Sequence, residues 1–285
     1  MSKIAVLVDS TAYVGQELKS NNNLRIVYLS VTVNNITKKE VEEISLDEYK
    51  VYLEGNDGDF PTTSQPAIGD VVLALEDLKA QGYTDVIAIA LSSGISGTFS
   101  SYSIADSMVD GINVHPFDSE VSAQAEEFYV KKALEMISNG STTDEILTAL
   151  TEMKKVSKAY FIVDDLSHLQ RGGRLSSAQA LIGGLLQIKP VLHFQDTKIV
   201  PYQKIRTYKK AIAATYDLFD EFYQEHKGEN INLCIIHTFA DDKAKEVEEY
   251  LKAKYPDVKI EQGIIGPVIA THLGLGAIAI GWTIL

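Results

Sequence analysis

The sequence has very little cysteine: Cys234 is the one thiol in 285 residues. A single thiol excludes an intrachain disulfide framework and cysteine-rich zinc sites. Because Cys234 lies within the apolar run INLCIIH, we expect it to be a buried core residue. Long apolar runs are missing as well. Pro267, His272 and repeated glycines interrupt the most apolar segment, residues 264–285, before it reaches the roughly 18 residues of a membrane span.

Positive charge is also scarce, with 26 Lys and Arg against 39 Asp and Glu and a formal net charge of -13. Nucleic acids and anionic membrane surfaces are bound through clustered basic side chains, so this composition argues against both as main partners. An anionic ligand would have to be held by local donors. The first residues, MSKIAVLVDST, lack the length and cleavage site of a secretory signal, and we therefore expect a cytoplasmic protein.

Familiar nucleotide, hydrolase and metal signatures are absent from the sequence. No Gly-Lys pair occurs, which excludes the GxxxxGK[ST] loop, and the spacing of Gly94 and Gly97 does not match GxGxxG. The segment GISGT has Thr98 where the GxSxG elbow of serine hydrolases needs glycine. The six histidines are scattered, without HExxH, and the acidic residues show no ligand spacing. We expect neither a cofactor nor a resident metal.

Apolar runs alternate with helical patterns in the first half of the chain. The runs KIAVLVD, DVIAIA and GINVHPF predict strands separated by amphipathic helices, which indicates a mostly parallel sheet. The second half mixes hairpin-like pieces with helices, as α+β domains do. We predict an α/β protein with an N-terminal domain over residues 1–158 and a C-terminal α+β domain over residues 159–285.

Small polar residues follow each of the three predicted strands, at residues 9–11, 92–98 and 118–119. The carboxyl ends of parallel strands share one edge of a sheet, and ligands of open α/β sheets bind there. The segment LSSGISGT, residues 91–98, would then form a cradle of hydroxyls and amides for an anionic group. The alternative is that Ser and Gly serve as ordinary turn and helix-cap residues.

Seven short motifs occur in an order that resembles the DegV family, and together they span nearly the whole chain. They are VDST at 8–11, TSQP at 63–66, LSSGISGT at 91–98, DS at 118–119, LxRGGR at 169–174, KP at 189–190 and HLGLGA at 272–277.

This resemblance implies a bacterial, two-domain protein that binds a long-chain fatty acid in a slot between the domains. It also implies the lipid-carrying subunit of a fatty acid kinase. Such a protein presents the carboxylate to a separate ATP-binding subunit, which makes the acyl phosphate that feeds phospholipid synthesis. The chain would be non-catalytic alone and need no cofactor, with a fatty acid such as palmitate as its ligand.

The resemblance also implies a set of site residues. Thr63 and Ser93 would donate hydrogen bonds to the carboxylate, with His272 close by and Arg206 as a positive neighbour. The neighbouring hydroxyls that could take the same role are Thr62, Ser92 and Ser96. Arg171 and Arg174 flank a glycine pair and would either brace the domain junction or dock the kinase.

Two other functions remain open at this point. Ser93 or Ser96 could act as the nucleophile of an acyl hydrolase, with His272 as the base. The protein could instead carry another amphipathic carboxylate. The apolar stretch ALIGGLLQI, residues 180–188, predicts a helix that either lines the tail slot or is an ordinary buried helix.

Overall fold

The structure is a computed structural model that describes residues 2–54, 60–175 and 188–285. Its elements are β1 (Ile4–Asp9), a 3-10 turn (Ser10–Ala12), α1 (Gln16–Lys19), β2 (Leu24–Val27), β3 (Ser30–Val33), β4 (Ile36–Lys39), α2 (Leu46–Glu54), β5 (Thr62–Ser64), α3 (Ile68–Ala80), β6 (Asp85–Ala90), α4 (Thr98–Asp106), β7 (Asn113–Asp118), α5 (Gln124–Ser138), α6 (Thr143–Val156), β8 (Lys158–Ile162), α7 (Ser167–Arg171), β9 (Val191–Gln195), β10 (Lys198–Gln203), α8 (Tyr208–Glu225), β11 (Ile231–His237), α9 (Asp241–Lys254), β12 (Lys259–Ile264), α10 (Pro267–Leu273) and β13 (Ile278–Ile284). None of the described helices is long and apolar enough to cross a membrane.

The first sheet has the strand order β2-β1-β6-β7 and is parallel throughout. Successive side chains of a strand point to opposite faces, so β1 contributes to two cores. Val6 and Val8 face the centre of the molecule, whereas Ala5 and Leu7 face α3 and α4. Both faces are therefore covered, which explains why β1 and β6 are apolar along almost their whole length.

The second sheet has the order β10-β9-β8-β13-β11-β12 and is antiparallel except for the pair β11 and β12. Helices α8 and α9 pack on its outer face, where Trp282 is buried. Its inner face carries the small side chains of Ala279 and Cys234 as well as the large one of Phe161. The prediction of a core position for Cys234 is confirmed, because it is fully buried and burial raises its pKa to about 12.

Helices α5 and α6 lie between the two sheets and contact strands of both. A small third sheet of order β4-β3-β5, together with α2, packs against α10. This small sheet follows β2, and the sequence analysis did not identify it. It brings Thr63 on β5 up to α10 and so builds one side of the site.

The predicted fold class is confirmed: a parallel sheet with helices is followed by a C-terminal sheet domain. The helix ends carry the usual local signals: Thr142 begins α6 with a reciprocal capping box, and Gly82, with a φ of +83°, follows the end of α3. The domain boundary between residues 158 and 159 stays a prediction, and β8 begins at Lys158. The helix predicted over residues 180–188 lies, up to residue 187, outside the described residues.

Candidate ligand-binding site

A cavity of about 320 Å³ lies between the first-half loops, α10 and the inner face of the second sheet. This volume is typical of a small-molecule site. Most of the described lining is apolar: Leu29, Leu91, Ile95, Ala123, Ala159, Phe161, Leu169, Phe194, Ile199, Ile236, Ile265, Val268, Ile269, Leu273 and Ala279. A largely hydrocarbon ligand would be desolvated here at little cost to the protein.

Ser122, in the loop after β7, lines the cavity, and the other polar lining residues lie on β5, the LSSGISGT loop, α10 and the turn after α7, a side that we call the polar end. It contains Thr63, Gln65, Ser96, Arg174 and His272. Thr63 Oγ1 lies 2.8 Å from His272 Nε2, which joins the small sheet to α10. The cavity thus has an apolar body and one polar side, as an amphipathic ligand requires.

His272 is neutral in the folded protein. It is 9% exposed, and burial, reinforced by the nearby Arg174 and His168, lowers its pKa to about 4. Its Nδ1 atom has no hydrogen-bond partner among the described residues and faces Gly172, where an added Cβ would come within 2.2 Å of it. Glycine at position 172 therefore makes room for the imidazole ring.

Arg174 supplies the positive charge of the polar end. Its Nε donates to the carbonyl of Ile95 at 3.1 Å and one terminal nitrogen donates to the carbonyl of Gly172 at 2.6 Å. Burial lowers its pKa from the usual value, but an arginine remains charged at neutral pH. No carboxylate is among the described lining residues, so no lining side chain carries a charge that would repel an anion.

The LSSGISGT loop divides into two halves with different roles. In the first half, Ser92 donates to the carbonyl of Thr197 at 2.6 Å, and a Cβ on Gly94 would lie 2.3 Å from the same carbonyl oxygen. The first half of the loop therefore holds the turn between β9 and β10 against the first sheet, through a hydrogen bond and close packing. In the second half, Ser96 and Gly97 line the cavity.

The structure brings together Thr63, Ser96 and His272 and does not place Ser93 with them. Ser93 is exposed and outside the cavity lining, and its backbone N–H donates to Asp118 Oδ1 at 3.2 Å. Thr62 is also exposed, because alternate residues of β5 point away from α10.

The three arginines that the resemblance singles out lie in three different places in the structure. Arg174, considered as a brace or a docking residue, lines the cavity. Arg171 is exposed, with its guanidinium 5.5 Å from the ring centre of Phe60. Arg206 is exposed between β10 and α8, apart from the cavity lining.

A buried acid that the sequence analysis missed holds α10 in place. Glu40 is fully buried and accepts hydrogen bonds from Ser10 Oγ at 2.6 Å, Tyr13 OH at 3.1 Å and the Val268 backbone N–H at 3.0 Å. Burial raises its pKa to about 7. Tyr49 adds a second tie through its hydroxyl, which bonds to Thr271. Neither residue carries a sequence signal that distinguishes it from surface acids and tyrosines.

The polar residues after β1 hold the fold together and do not line the cavity. Asp9 accepts from Thr11 Oγ1 at 2.6 Å and from the Leu91 backbone N–H at 2.8 Å, and it is fully buried. Glu126 contacts Thr11 at 3.2 Å, and burial raises the pKa of both Asp9 and Glu126. Of the three polar segments expected to form the cradle, residues 92–98 contribute Ser96 and Gly97 to the described lining, and residues 9–11 and 118–119 contribute none. Ser122 and Ala123, further along the loop after β7, also line the cavity. Within the described ranges, no group of His, Cys, Asp and Glu side chains is arranged to hold a metal.

Comparison with known proteins gives matches over nearly the whole chain. Protein DegV of Bacillus subtilis is 50% identical over 281 residues, which cover 98% of each chain. The crystal structure of DegV from Bacillus subtilis, described as a fatty acid binding protein, superposes with a TM-score of 0.93 at 48% identity and covers 100% of both chains. A fatty acid binding DegV family protein from Streptococcus agalactiae gives a TM-score of 0.91 at 31% identity, again over 100% of both chains.

The family assignment rests on sequence and structure together. The sequence profile described as "Uncharacterised protein, DegV family" matches residues 3–284. The order of the motifs and the fold of the two sheets agree with that match. The chain therefore belongs to the DegV family.

Proposed function

We propose that this protein binds one long-chain fatty acid in the cavity, with the carboxylate at the polar end and the acyl tail along the apolar body. The observation that carries the proposal is the composition of the described lining. Most of it is apolar, one side contains Thr63, Ser96, Arg174 and His272, and none of the described lining residues is a carboxylate. The relatives described as fatty acid binding support it.

A fatty acid requires an apolar environment for its tail and hydrogen-bond donors for its carboxylate. Burying the tail contributes about 0.8 kcal/mol for each methylene, so the tail provides most of the affinity. The carboxylate costs free energy when it leaves water unless donors replace its hydration. Thr63, Ser96 and Arg174 offer such donors, and they orient the head group without attacking it.

Neutral His272 can set the direction of the Thr63 hydroxyl. With the ring proton on Nε2, the imidazole donates to Thr63 Oγ1, and the hydroxyl hydrogen is free to point at the carboxylate. This tautomer leaves Nδ1 as an unpaired acceptor, not as an unpaired N–H. Thr63 is then the donor to the head group and His272 its positioning residue.

We further propose that the protein presents the carboxylate to a separate ATP-dependent kinase subunit, so that acyl phosphate can enter phospholipid synthesis. Alone it would be non-catalytic, and an ATP-using partner places it in the cytoplasm. Arg171 is exposed on the turn that leads to Arg174, and Arg206 is exposed elsewhere, so both are available to a partner. A pull-down from a bacterial lysate with the loaded protein, followed by an ATP-dependent acyl phosphate assay, tests this step.

The hydrolase alternative finds less support in the geometry. A serine nucleophile needs a hydrogen bond to its base, but Ser96 Oγ lies 2.9 Å from Thr98 Oγ1, and His272 Nε2 is engaged with Thr63. Turnover of a chromogenic acyl ester that Ser96→Ala abolishes would establish the hydrolase instead. A carrier of another amphipathic carboxylate would use the same polar end with a different tail.

The first experiment is mass spectrometry of an organic extract of the purified protein, with a mock purification as control. We expect about one C14 to C18 fatty acid per chain, palmitate among them. Burial of hydrocarbon is non-directional, so the apolar body should accept tails of several lengths. If the extract contains no fatty acid and the protein takes up neither added palmitate nor oleate, the proposed function is wrong.

A further inference from the structure

A second, smaller cavity of about 90 Å³ adjoins the first, and we call it the side pocket. Two residues, Ala159 and Phe194, line both cavities. The two spaces are therefore separated by a wall that is one side chain thick at this point. The other side-pocket residues are Ser119, Glu120, Val121, Tyr129, Lys154, Ser157, Lys158, Tyr160, His193, Asp196 and Thr197.

The strand register shows what the wall is made of. Strands β8 and β9 pair Phe161 with Leu192 and Tyr160 with His193, so the next position in the same register sets Ala159 opposite Phe194. Both residues are on the inner face of the sheet, as Phe161 is. Ala159 pairs on its other side with Gly281. With a methyl group and a glycine beside it, the ring of Phe194 provides most of the bulk of the wall.

The two sides of the wall differ in polarity. The cavity side is apolar, with Phe161 5.9 Å from Phe194 between ring centres. The side pocket contains the ion pair of Lys154 and Glu120 at 2.8 Å and also Lys158. A methylene that passed the wall would meet these charged groups, whereas one that stops before it stays among apolar side chains.

We propose that Phe194 is the residue that limits acyl chain length, by closing the apolar cavity against the side pocket. This inference rests on the proposed function, because it concerns the tail of the same ligand. Each methylene that is buried changes affinity by about fourfold. An acyl tail that ends at or before Phe194 gains about fourfold in affinity with every added methylene. A longer tail must fold back or displace the Phe194 ring.

The test compares the fatty acids bound by the wild type and Phe194→Ala, each exchanged against an equimolar mixture of C14, C16, C18 and C20 saturated acids and then extracted for mass spectrometry. Removing the ring vacates apolar space beside Ala159 for about two more methylenes, so we expect the ratio of C18 and C20 to C16 to rise about sixteenfold. Ala159→Leu thickens the wall and should shift the distribution towards C14.

Phe161→Ala is the matched control, because Phe161 lies on the same inner face and lines the large cavity but not the side pocket. It should weaken binding of all lengths without favouring C20. Phe194→Leu, with a smaller loss of volume, covers the case in which Phe194→Ala fails to fold and should move the distribution in the same direction.

The outcomes separate the two proposals. A wild-type protein that takes up no fatty acid overturns the proposed function and this inference with it. A wild-type protein that is loaded, with distributions that Phe194→Ala and Phe194→Leu leave unchanged, overturns the inference alone. The same result follows if Phe161→Ala shifts the distribution as far as Phe194→Ala does, since the wall would then have no special role.

Discussion

Thr63 and His272 are 209 positions apart in sequence, and their side chains meet at 2.8 Å between Oγ1 and Nε2. The contact joins the edge of a small antiparallel sheet to a seven-residue helix, α10. Because Glu40 and Tyr49 independently hold α10, the pair is supported by a buried polar network and not by its own hydrogen bond alone. The position of the proposed carboxylate donor is thereby fixed before a ligand arrives.

Thr63→Ala should weaken fatty acid binding by about 1–3 kcal/mol, because a charged acceptor loses its hydroxyl donor. Thr63→Ser keeps the hydroxyl and should recover most of the loss. Displacement of a fluorescent fatty acid measures both. Thr62→Ala is the control, since Thr62 is exposed on the other side of β5, and it should bind as the wild type does. Equal effects of Thr62→Ala and Thr63→Ala would remove Thr63 from the site.

The variants Ser96→Ala and Ser93→Ala test which serine donates to the carboxylate: Ser96, which lines the cavity, or Ser93, which the family motif implies. Ser96 lines the cavity and Ser93 does not, so we expect the Ser96 variant to lose roughly tenfold in affinity, as for one hydrogen bond to a charged group, and the Ser93 variant to lose little. The same displacement assay applies, with thermal melting to check folding. A larger loss in Ser93→Ala would restore the motif-based assignment.

Gly172→Ala should disturb His272 directly. The backbone at Gly172 is right-handed helical, with φ of -70°, so alanine is compatible with it, but the new methyl group would lie 2.2 Å from His272 Nδ1. The ring has to move away from Thr63, and we expect binding to fall by a factor of ten or more, as for a lost hydrogen bond to a charged group. Gly69→Ala, where nothing lies within 4 Å of the new methyl group, is the matched control. Unchanged binding in Gly172→Ala would show that the contact with His272 is dispensable.

Glu40 should make stability depend on pH. Its pKa is about 7 in the folded protein and near 4.5 when unfolded, so its contribution is fully present below pH 4.5 and is lost as the pH rises to 7. The full change is about 3 kcal/mol. Glu40→Gln mimics the protonated acid, and the difference in unfolding free energy between wild type and variant should therefore change over this window. Denaturant unfolding at pH 5 and 7.5 measures it, and a constant difference would contradict the assignment.

Gly94→Ala tests the contact of Ser92 and Gly94 with Thr197, which joins the two halves of the chain. The added methyl group would lie 2.3 Å from the carbonyl oxygen of Thr197, a backbone atom that cannot move without the β9–β10 turn. We expect a loss of about 1–3 kcal/mol in the free energy of unfolding, as for other overpacked sites. Ser92→Ala removes the hydrogen bond to the same carbonyl and should cost less. Calorimetric melting distinguishes the two, and a neutral Gly94→Ala would show that the turn is not held there.

The motif order identified the family, and the alternation of strands and helices predicted the parallel first sheet, because both are local patterns. The three strand ends were expected to act together, yet Asp9 and its neighbours turn inwards and bind backbone N–H groups and Glu126. A buried carboxylate and a ligand-facing one have the same sequence signature, a small polar run after an apolar strand. Burial decides between them, and burial depends on packing.

The sequence by itself determined the apolar strands, the helix caps such as Thr142 and the absence of nucleotide loops. Each of these depends on neighbouring residues along the chain and on short-range sterics. Only the tertiary structure decided that Ser96 and not Ser93 faces the cavity, that Arg174 joins Thr63 and His272, and that Phe194 stands against Ala159. These relations join residues far apart in sequence, and side-chain direction is set there by the register of strands and the packing of α10, which no local pattern encodes.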